Sequence, residues 1–285
     1  MILAADIGGT HTRLMLCAAD GRPLRRATFA SREHATFAAV LAQFIEPADA
    51  ISTACLAVAG PVLQQRCAVT HLPWVLDAAA LQAHYGFPVT LINDFVAKAH
   101  GVPALSPQHL LTLQAGEPQA DGVQLLVGAG TGLGIATRIR CGAQVHVVES
   151  EGGHADFAPH GAAQQALQAG LHARLGMVPV EAVVSGRGLE NVYQHVSGAT
   201  LSTAELSAAE ISAAAHAGEA QAVAAMELFL ACYGSTAGNL ALVNVPLGGV
   251  YITGGVAAKN ARFMADGGFI AAFRDKPAMR ALLEK

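Results

Sequence analysis

Asp6-Ile7-Gly8-Gly9-Thr10 follows the apolar run Met1-Ile2-Leu3-Ala4-Ala5, and Gly128-Ala129-Gly130-Thr131-Gly132-Leu133-Gly134 follows Val123-Gln124-Leu125-Leu126-Val127. Each turn runs into a second apolar stretch, Leu14-Met15-Leu16 in one case and Ile135-Ala136-Thr137 in the other. Both therefore read as strand, tight turn, strand. Glycine has no Cβ and lets backbone N–H groups come close to an anion, and the threonine hydroxyls add donors. A single Gly-Gly-Thr is most often an ordinary hairpin turn. Two such turns at the same point of a repeated unit predict two similar domains facing one nucleotide, with Gly8, Gly9, Thr10, Gly130, Thr131 and Gly132 around its phosphates. Neither turn ends in Gly-Lys-Ser/Thr and neither opens a helix, which excludes a Walker loop and a Rossmann fingerprint.

Working outward, residues 1–30 read as three strands, with Asp20-Gly21 as a hairpin turn. Residues 33–44 have helical period, and 54–59 form a buried strand ended by Gly60-Pro61. Asp77 caps a helix that runs to Tyr85 and stops at Gly86. A strand at 89–92 leads into a short helix ending at Gly101. The order βββ-α-β-α-β-α argues an α/β domain with a mixed sheet. The pattern then restarts: strands at 123–127, 133–140 and 144–149, helices at about 161–175, 180–196, 203–216 and 219–243, a strand at 249–253 and a helix near 257–265. Ser202 with Glu205, and Ser207 with Glu210, each fit a capping box. The join lies near 103–118, rich in Pro and Gln, and divides a smaller domain at 1–104 from a larger one at 105–285.

Only 13% of residues are charged and 53% are hydrophobic, so the chain buries a large core and is not disordered. The net charge of −4 and the lack of a basic run exclude a nucleic-acid partner. Five scattered cysteines without a CxxC pair fit a reduced, cytoplasmic protein with buried thiols. Twelve histidines form no HxxxH pair, so no metal site is spelled out by histidine spacing. The start lacks the basic n-region of a signal peptide. Residues 228–258 carry no Asp, Glu, Lys or Arg, but Gly234, Gly238, Asn244, Pro246, Gly248 and Gly249 interrupt them. A buried helix to about Asn244 followed by a buried strand explains this stretch better than a membrane span.

Six motifs occur in order: Asp6-Ile-Gly-Gly-Thr-His-Thr-Arg13, Ile92-Asn93-Asp94-Phe95, Gly128 to Gly134, Glu151-Gly-Gly-His154-Ala-Asp-Phe-Ala-Pro159, Val184-Ser-Gly186 and Thr253-Gly-Gly255. Together they closely resemble the bacterial glucokinase family of the hexokinase/actin-like ATPase superfamily, over essentially the whole chain. The resemblance implies two α/β domains of ribonuclease-H type with an interdomain cleft that closes on sugar. It implies ATP- and magnesium-dependent phosphorylation of the glucose 6-hydroxyl, a step of glycolysis. It makes Asn93, Asp94, Glu151, His154 and Glu181 the glucose shell, with Asp94 as catalytic base. It places Asp6 next to magnesium through water, and Gly254 and Gly255 on the adenosine side. A homodimer is left open. His11 stands where the family commonly has Asn. The family's chains also continue past the region matching 273–276 with a strand and a closing helix, so this chain is expected to lack them.

The chemistry is consistent with those roles. Phosphoryl transfer asks mostly for positioning and charge stabilisation, so a weak base suffices for a late proton transfer. Asp6, at the end of a buried strand, is expected to need a cation, and magnesium held partly through water is a suitable one. Asp94 sits at a strand end opening a helix, where it and Asn93 are also ordinary helix caps. Carboxylates accept from neighbouring sugar hydroxyls while Asn and His donate. Glu149 rivals Glu151, and Glu181 follows Pro179 as a first-turn acid. Two other readings remain: a non-catalytic sugar-sensing regulator, which would carry a DNA-binding segment or a Cys-x-Cys-Gly motif, and an actin-like ATPase without a sugar substrate.

Overall fold

The computed structural model describes residues 1–198 and 206–285. The expected Ser202–Glu205 capping box lies outside the described residues. The chain divides into two compact units, Met1–Gly101 and Val102–Lys285.

In the first unit the elements run β1 Ile2–Ile7, β2 His11–Cys17, β3 Pro23–Ala30, α1 Phe37–Phe44, β4 Thr53–Val58, β5 Arg66–Ala68, β6 Val75–Asp77, α2 Ala78–Tyr85, β7 Val89–Asn93 and α3 Asp94–Gly101. The main sheet has the order β3-β2-β1-β4-β7. β1 is antiparallel to β2 and parallel to β4, which makes it a central strand. Its Leu3, Ala5 and Ile7 alternate into a core with Leu14, Leu16, Val40, Leu41, Leu56 and Leu91. Parallel neighbours cannot be joined by a hairpin, so α1 carries the chain from the edge strand β3 back to β4, and α2 lies on the path from β4 to β7. Asp77 caps α2 by accepting from the Ala80 N–H at 3.1 Å, and Gly86 ends it at φ 77°.

The helix expected over 33–44 starts later, at Phe37. Thr36 caps it at the Ala39 N–H, and Ser31–Glu33 form a separate 3-10 turn. The His34 carbonyl is taken by the Trp74 indole N–H at 3.0 Å, so it is not available to a helix through that point. The two-stranded ribbon of β5 and β6 was not expected: three-residue strands are too short for periodicity to register.

The second unit repeats the opening. β8 Gln124–Ala129, β9 Leu133–Cys141 and β10 Gln144–Ser150 are followed by α4 Gly161–Leu175, α5 Gly186–Ser197, α6 Ala208–His216, α7 Ala220–Asn244, β11 Gly249–Thr253, α8 Gly255–Lys259, α9 Ala261–Ala265, α10 Gly268–Arg274 and α11 Arg280–Leu283. The sheet order β10-β9-β8-β11 matches the β3-β2-β1-β4 part of the first sheet. α7 crosses the core, with Met226, Phe229, Cys232 and Tyr233 fully buried. Its uncharged stretch from Leu228 onward packs against protein, and no helix among the described residues is long and apolar enough to cross a membrane. Gly234 and Gly238 mark where the α10 backbone presses on α7. A Cβ on either would lie 2.1 Å from the Phe269 carbonyl oxygen or 2.4 Å from that of Phe273.

Three expected helices differ in detail. Residues 180–196 divide into a 3-10 turn at Val180–Ala182 and α5, because the Ser185 hydroxyl caps a fresh start at the Gly188 N–H. The described part of 203–216 begins at Ala208, where Ser207 and Glu210 form the expected capping box. Residues 257–265 split at Asn260, whose side-chain amide donates to Val256 O and Ser212 Oγ. The chain end belongs to this unit as well: Leu283 is buried in its core, and Gln114 bonds the Leu283 carbonyl and Arg274. Cys17, Cys55, Cys141 and Cys232 form no disulfide, and burial pushes the Cys232 thiol up to about 12. Cys141 departs from the expected buried thiols and lies exposed on β9.

Candidate active site

In the first unit the candidate residues gather at the ends of β1 and β7. The register pairs Asp6 with Arg13 across β1 and β2, and Arg13 Nη1 donates to Asp6 Oδ2 at 2.9 Å. This corrects the burial argument made for Asp6. The carboxylate is half-exposed, not buried, and the cation it meets is Arg13. The Gly8 N–H donates to His11 O at 3.0 Å, which closes the turn. Ser31, fully buried, pins that turn from behind: its N–H donates to Thr10 O, and its hydroxyl bonds Gly8 O at 2.7 Å and Thr12 Oγ1 at 3.0 Å. Thr10 and His11 are exposed beyond it. Gly9 is held by packing, since a Cβ there would stand 3.1 Å from Thr70 O.

At the end of β7, Asn93 is buried and works as a cap. Its Oδ1 accepts from the Phe95 N–H at 2.8 Å, and its Nδ2 donates to Gly60 O at 3.2 Å. Asp94 opens α3, and its Oδ2 accepts from Lys98 Nζ at 2.6 Å. That ammonium also sits 3.9 Å from the Phe95 ring centre. Sequence reasoning passed over Arg13, Ser31 and Lys98. The i,i+4 spacing of Asp94 and Lys98 was the signal available for the last.

In the second unit the glycine turn leaves β8 and re-enters at β9. Its Gly130 N–H closes onto Gly132 O at 2.9 Å, while Gly130 O accepts from the Gly186 N–H at 2.8 Å. Thr131 is exposed at the tip. Just before the turn, the buried Tyr233 hydroxyl donates to Val127 O and accepts from the Ala129 N–H, both at 3.2 Å. Glu151 leads into the 3-10 turn Gly152–His154. His154 stands between two carboxylates, with Nε2 3.8 Å from Glu151 and Nδ1 3.5 Å from Glu181. Burial and the charge of Glu151 push the Glu149 carboxyl above the usual carboxylate range. Gly254, at φ 93°, brings its backbone against β8, where a Cβ would overlap Ala129 O, and Gly255 faces open space. A separate cavity of about 820 Å³ between α4, α7 and α10 contains none of these residues; His160, Gln164, Leu228 and Arg274 are among its lining.

No group of three metal-ligating side chains occurs among the described residues. Asp6 has one carboxylate oxygen bonded to Arg13 and is half-exposed. That fits a magnesium ion that keeps most of its water and arrives with phosphates. It does not fit an all-protein cage.

The mixed sheets are those of the fold found in sugar kinases of the actin-like ATPase type. Glucokinase from an Antarctic psychrotroph is 31% identical with a TM-score of 0.83, over 99% of this chain and 91% of that one. Glucokinase from Balamuthia mandrillaris, solved in complex with glucose, is 26% identical with a TM-score of 0.77, over 99% and 87%. The family profile described as Glucokinase matches residues 3–285. A glucokinase of Nostoc sp. is 35% identical over 315 aligned positions, covering 99% of this chain and 92% of the relative. One of Yersinia pestis is 36% identical over 287, covering 99% and 89%. The chain belongs to the glucokinase family.

Proposed function

We propose that the chain transfers the γ-phosphoryl group of ATP to the 6-hydroxyl of glucose. The observation that carries this reading is His154 held between Glu151 and Glu181 beside a glycine turn. Two carboxylates and an imidazole offer acceptors and a donor to a ring of hydroxyls, each of which both donates and accepts. Asn93 keeps one amide proton free to donate to a sugar hydroxyl. Asp94 is the base. Its Oδ2 is engaged by Lys98, and Oδ1 takes the proton of the sugar hydroxyl as that oxygen bonds to the γ-phosphorus. The bond from phosphorus to the bridging oxygen breaks, and ADP leaves with the electron pair.

The turns at Gly8-Gly9-Thr10 and Gly130-Thr131-Gly132 hold the phosphates through backbone N–H groups and the exposed threonine hydroxyls, a placement that stabilises developing charge. Asp6 would hold magnesium, mostly through water, and the ion supplies charge neutralisation at the phosphates. Gly254 and Gly255 flank the adenosine. The roles fall in both units, which we read as the two ribonuclease-H-like domains of the fold. ATP as substrate and scattered cysteines without a CxxC pair support a cytoplasmic location.

The test is coupled detection of ADP release with and without glucose. Turnover that rises on adding glucose supports the reading. ADP release indifferent to glucose would favour an actin-like ATPase without a sugar substrate, and glucose binding without turnover would favour a sensor.

A further inference from the structure

The sugar-binding residues of the second unit and its nucleotide turn touch one another at Leu133 and Gly132. Glu181 Oε2 accepts from the Leu133 N–H at 3.4 Å, and its Oε1 lies 3.5 Å from His154 Nδ1. A Cβ on Gly132 would stand 2.6 Å from the same Oε2, so the turn's backbone runs directly against the carboxylate. The contact continues beyond Glu181. A Cβ on Gly153 would lie 2.4 Å from Leu133 O, so the residue before His154 packs against the carbonyl of the same Leu133 whose N–H meets Glu181. A second tie comes from the end of the Glu181 segment, where the Gly186 N–H donates to Gly130 O at 2.8 Å. The Glu181 carbonyl accepts from the Ser185 hydroxyl at 2.6 Å, which links the two ties.

We propose that Glu181 is a positioning residue for the nucleotide turn as well as a sugar contact: its carboxylate sets the Gly132–Leu133 backbone, and Gly132 is glycine so that the carboxylate can reach that place. The proposal rests on the reading of this turn as a phosphate clamp. The bond to Leu133 N–H is accepted by a carboxylate and at 3.4 Å is long, so it acts as a hydrogen bond of ordinary strength. Losing it frees the peptide that follows Thr131 and Gly132, the part of the turn that would face phosphate. Gly132 has no positive φ, so alanine there is compatible with the backbone and acts chiefly by pushing the Glu181 carboxylate aside.

Three single variants and one double variant separate this from a purely structural role. Calorimetric titration with magnesium-ADP in the absence of sugar reads the turn alone. Glu181→Ala is expected to weaken ADP binding about fivefold to tenfold, the loss typical of one hydrogen bond of ordinary strength. Glu181→Gln keeps an oxygen able to accept from Leu133 N–H and is expected to restore ADP affinity to within about twofold of wild type. Gly132→Ala is expected to weaken glucose binding although Gly132 makes no sugar contact. In the double variant Gly132→Ala with Glu181→Ala, glucose affinity is expected to be no worse than in Glu181→Ala alone, because the carboxylate through which Gly132 acts is gone. Thermal melts of each variant verify folding. Wild-type ADP affinity in folded Glu181→Ala, or full additivity of the two substitutions on glucose binding, would overturn the proposal. Wild-type chain that binds ADP but shows no glucose-dependent turnover would overturn the kinase reading and leave the positioning role standing. Wild-type chain that fails to bind ADP would overturn both.

Discussion

At the scale of single residues, the proposed base and the buried polar groups behind it make separable predictions. Asp94→Asn keeps the side chain's shape and removes the proton acceptor, and loss of a general base typically lowers rate by about 10²–10⁴. Steady-state kinetics on folded protein are expected to show that fall in kcat, and a kcat near wild type would remove Asp94 from the role. Tyr233→Phe deletes a hydroxyl that bonds Val127 O and Ala129 N–H with no exposure to water. Leaving those strand groups unpaired costs about 1–3 kcal/mol, which denaturant unfolding can read. Glu149 gives a pH-dependent case. Burial and Glu151 raise its pKa, so the folded state keeps the proton to higher pH than the unfolded chain. Stability therefore falls as pH rises through that window. Glu149→Gln is expected to melt higher than wild type at neutral pH, with the difference vanishing below about pH 4, under the ordinary carboxylate range. A melting temperature unchanged at pH 7 would contradict the shift. The residues legible in the sequence were those inside dense motifs. Ser31, Lys98 and Tyr233 were not, because each lies outside those motifs and meets one only through a hydrogen bond that the fold creates. Asp6 was placed correctly on its strand but given the wrong surroundings, since alternation along six residues does not say which face of a strand end is covered.

At the scale of elements, the strands and caps were the legible part. The Asp77 cap, the Gly86 stop and the Ser207–Glu210 box rest on local chemistry that a sequence displays directly. Helix starts at 33 and 180 were misjudged because a tertiary partner decided them: the Trp74 indole took the His34 carbonyl, and Ser185 restarted the chain. The glycines of α7 were legible only as interruptions. Their cause is α10, whose carbonyls occupy the space a side chain would need. Gly within a helix costs about 1 kcal/mol relative to Ala, so alanine there is favourable for the isolated helix and unfavourable for the packed pair. Gly234→Ala is expected to destabilise the second unit by about 1–3 kcal/mol or more, through forced displacement of α10. Equal or higher stability of Gly234→Ala in denaturant unfolding would mean that α10 can shift freely, and the close approach would lose its role.

At the scale of the whole molecule, the repeat of strand order in two units was predictable from two glycine turns, because each turn comes with its own apolar run on both sides. The division of labour was reachable only through the motif resemblance: Asn93 and Asp94 lie in the first unit, and Glu151, His154 and Glu181 in the second. If glucose engages residues of both, binding must protect backbone amides in both. A ligand at about 100 times its dissociation constant stabilises the native state by about 2.7 kcal/mol. Amides that exchange only through openings that release the sugar are then slowed by about a hundredfold. Hydrogen exchange read by mass spectrometry, with and without glucose, is expected to slow in segments around Asn93–Phe95 and around Gly152–Ala155. The turn at Asp20–Arg22, which follows the end of β2 opposite to Asn93 in the first sheet, is expected to exchange unchanged. Protection confined to the second unit would leave the carboxylates and His154 as a sugar site and strip Asp94 of its role as base. Protection confined to the first would do the reverse, since the observation on which the kinase reading rests is the trio around His154.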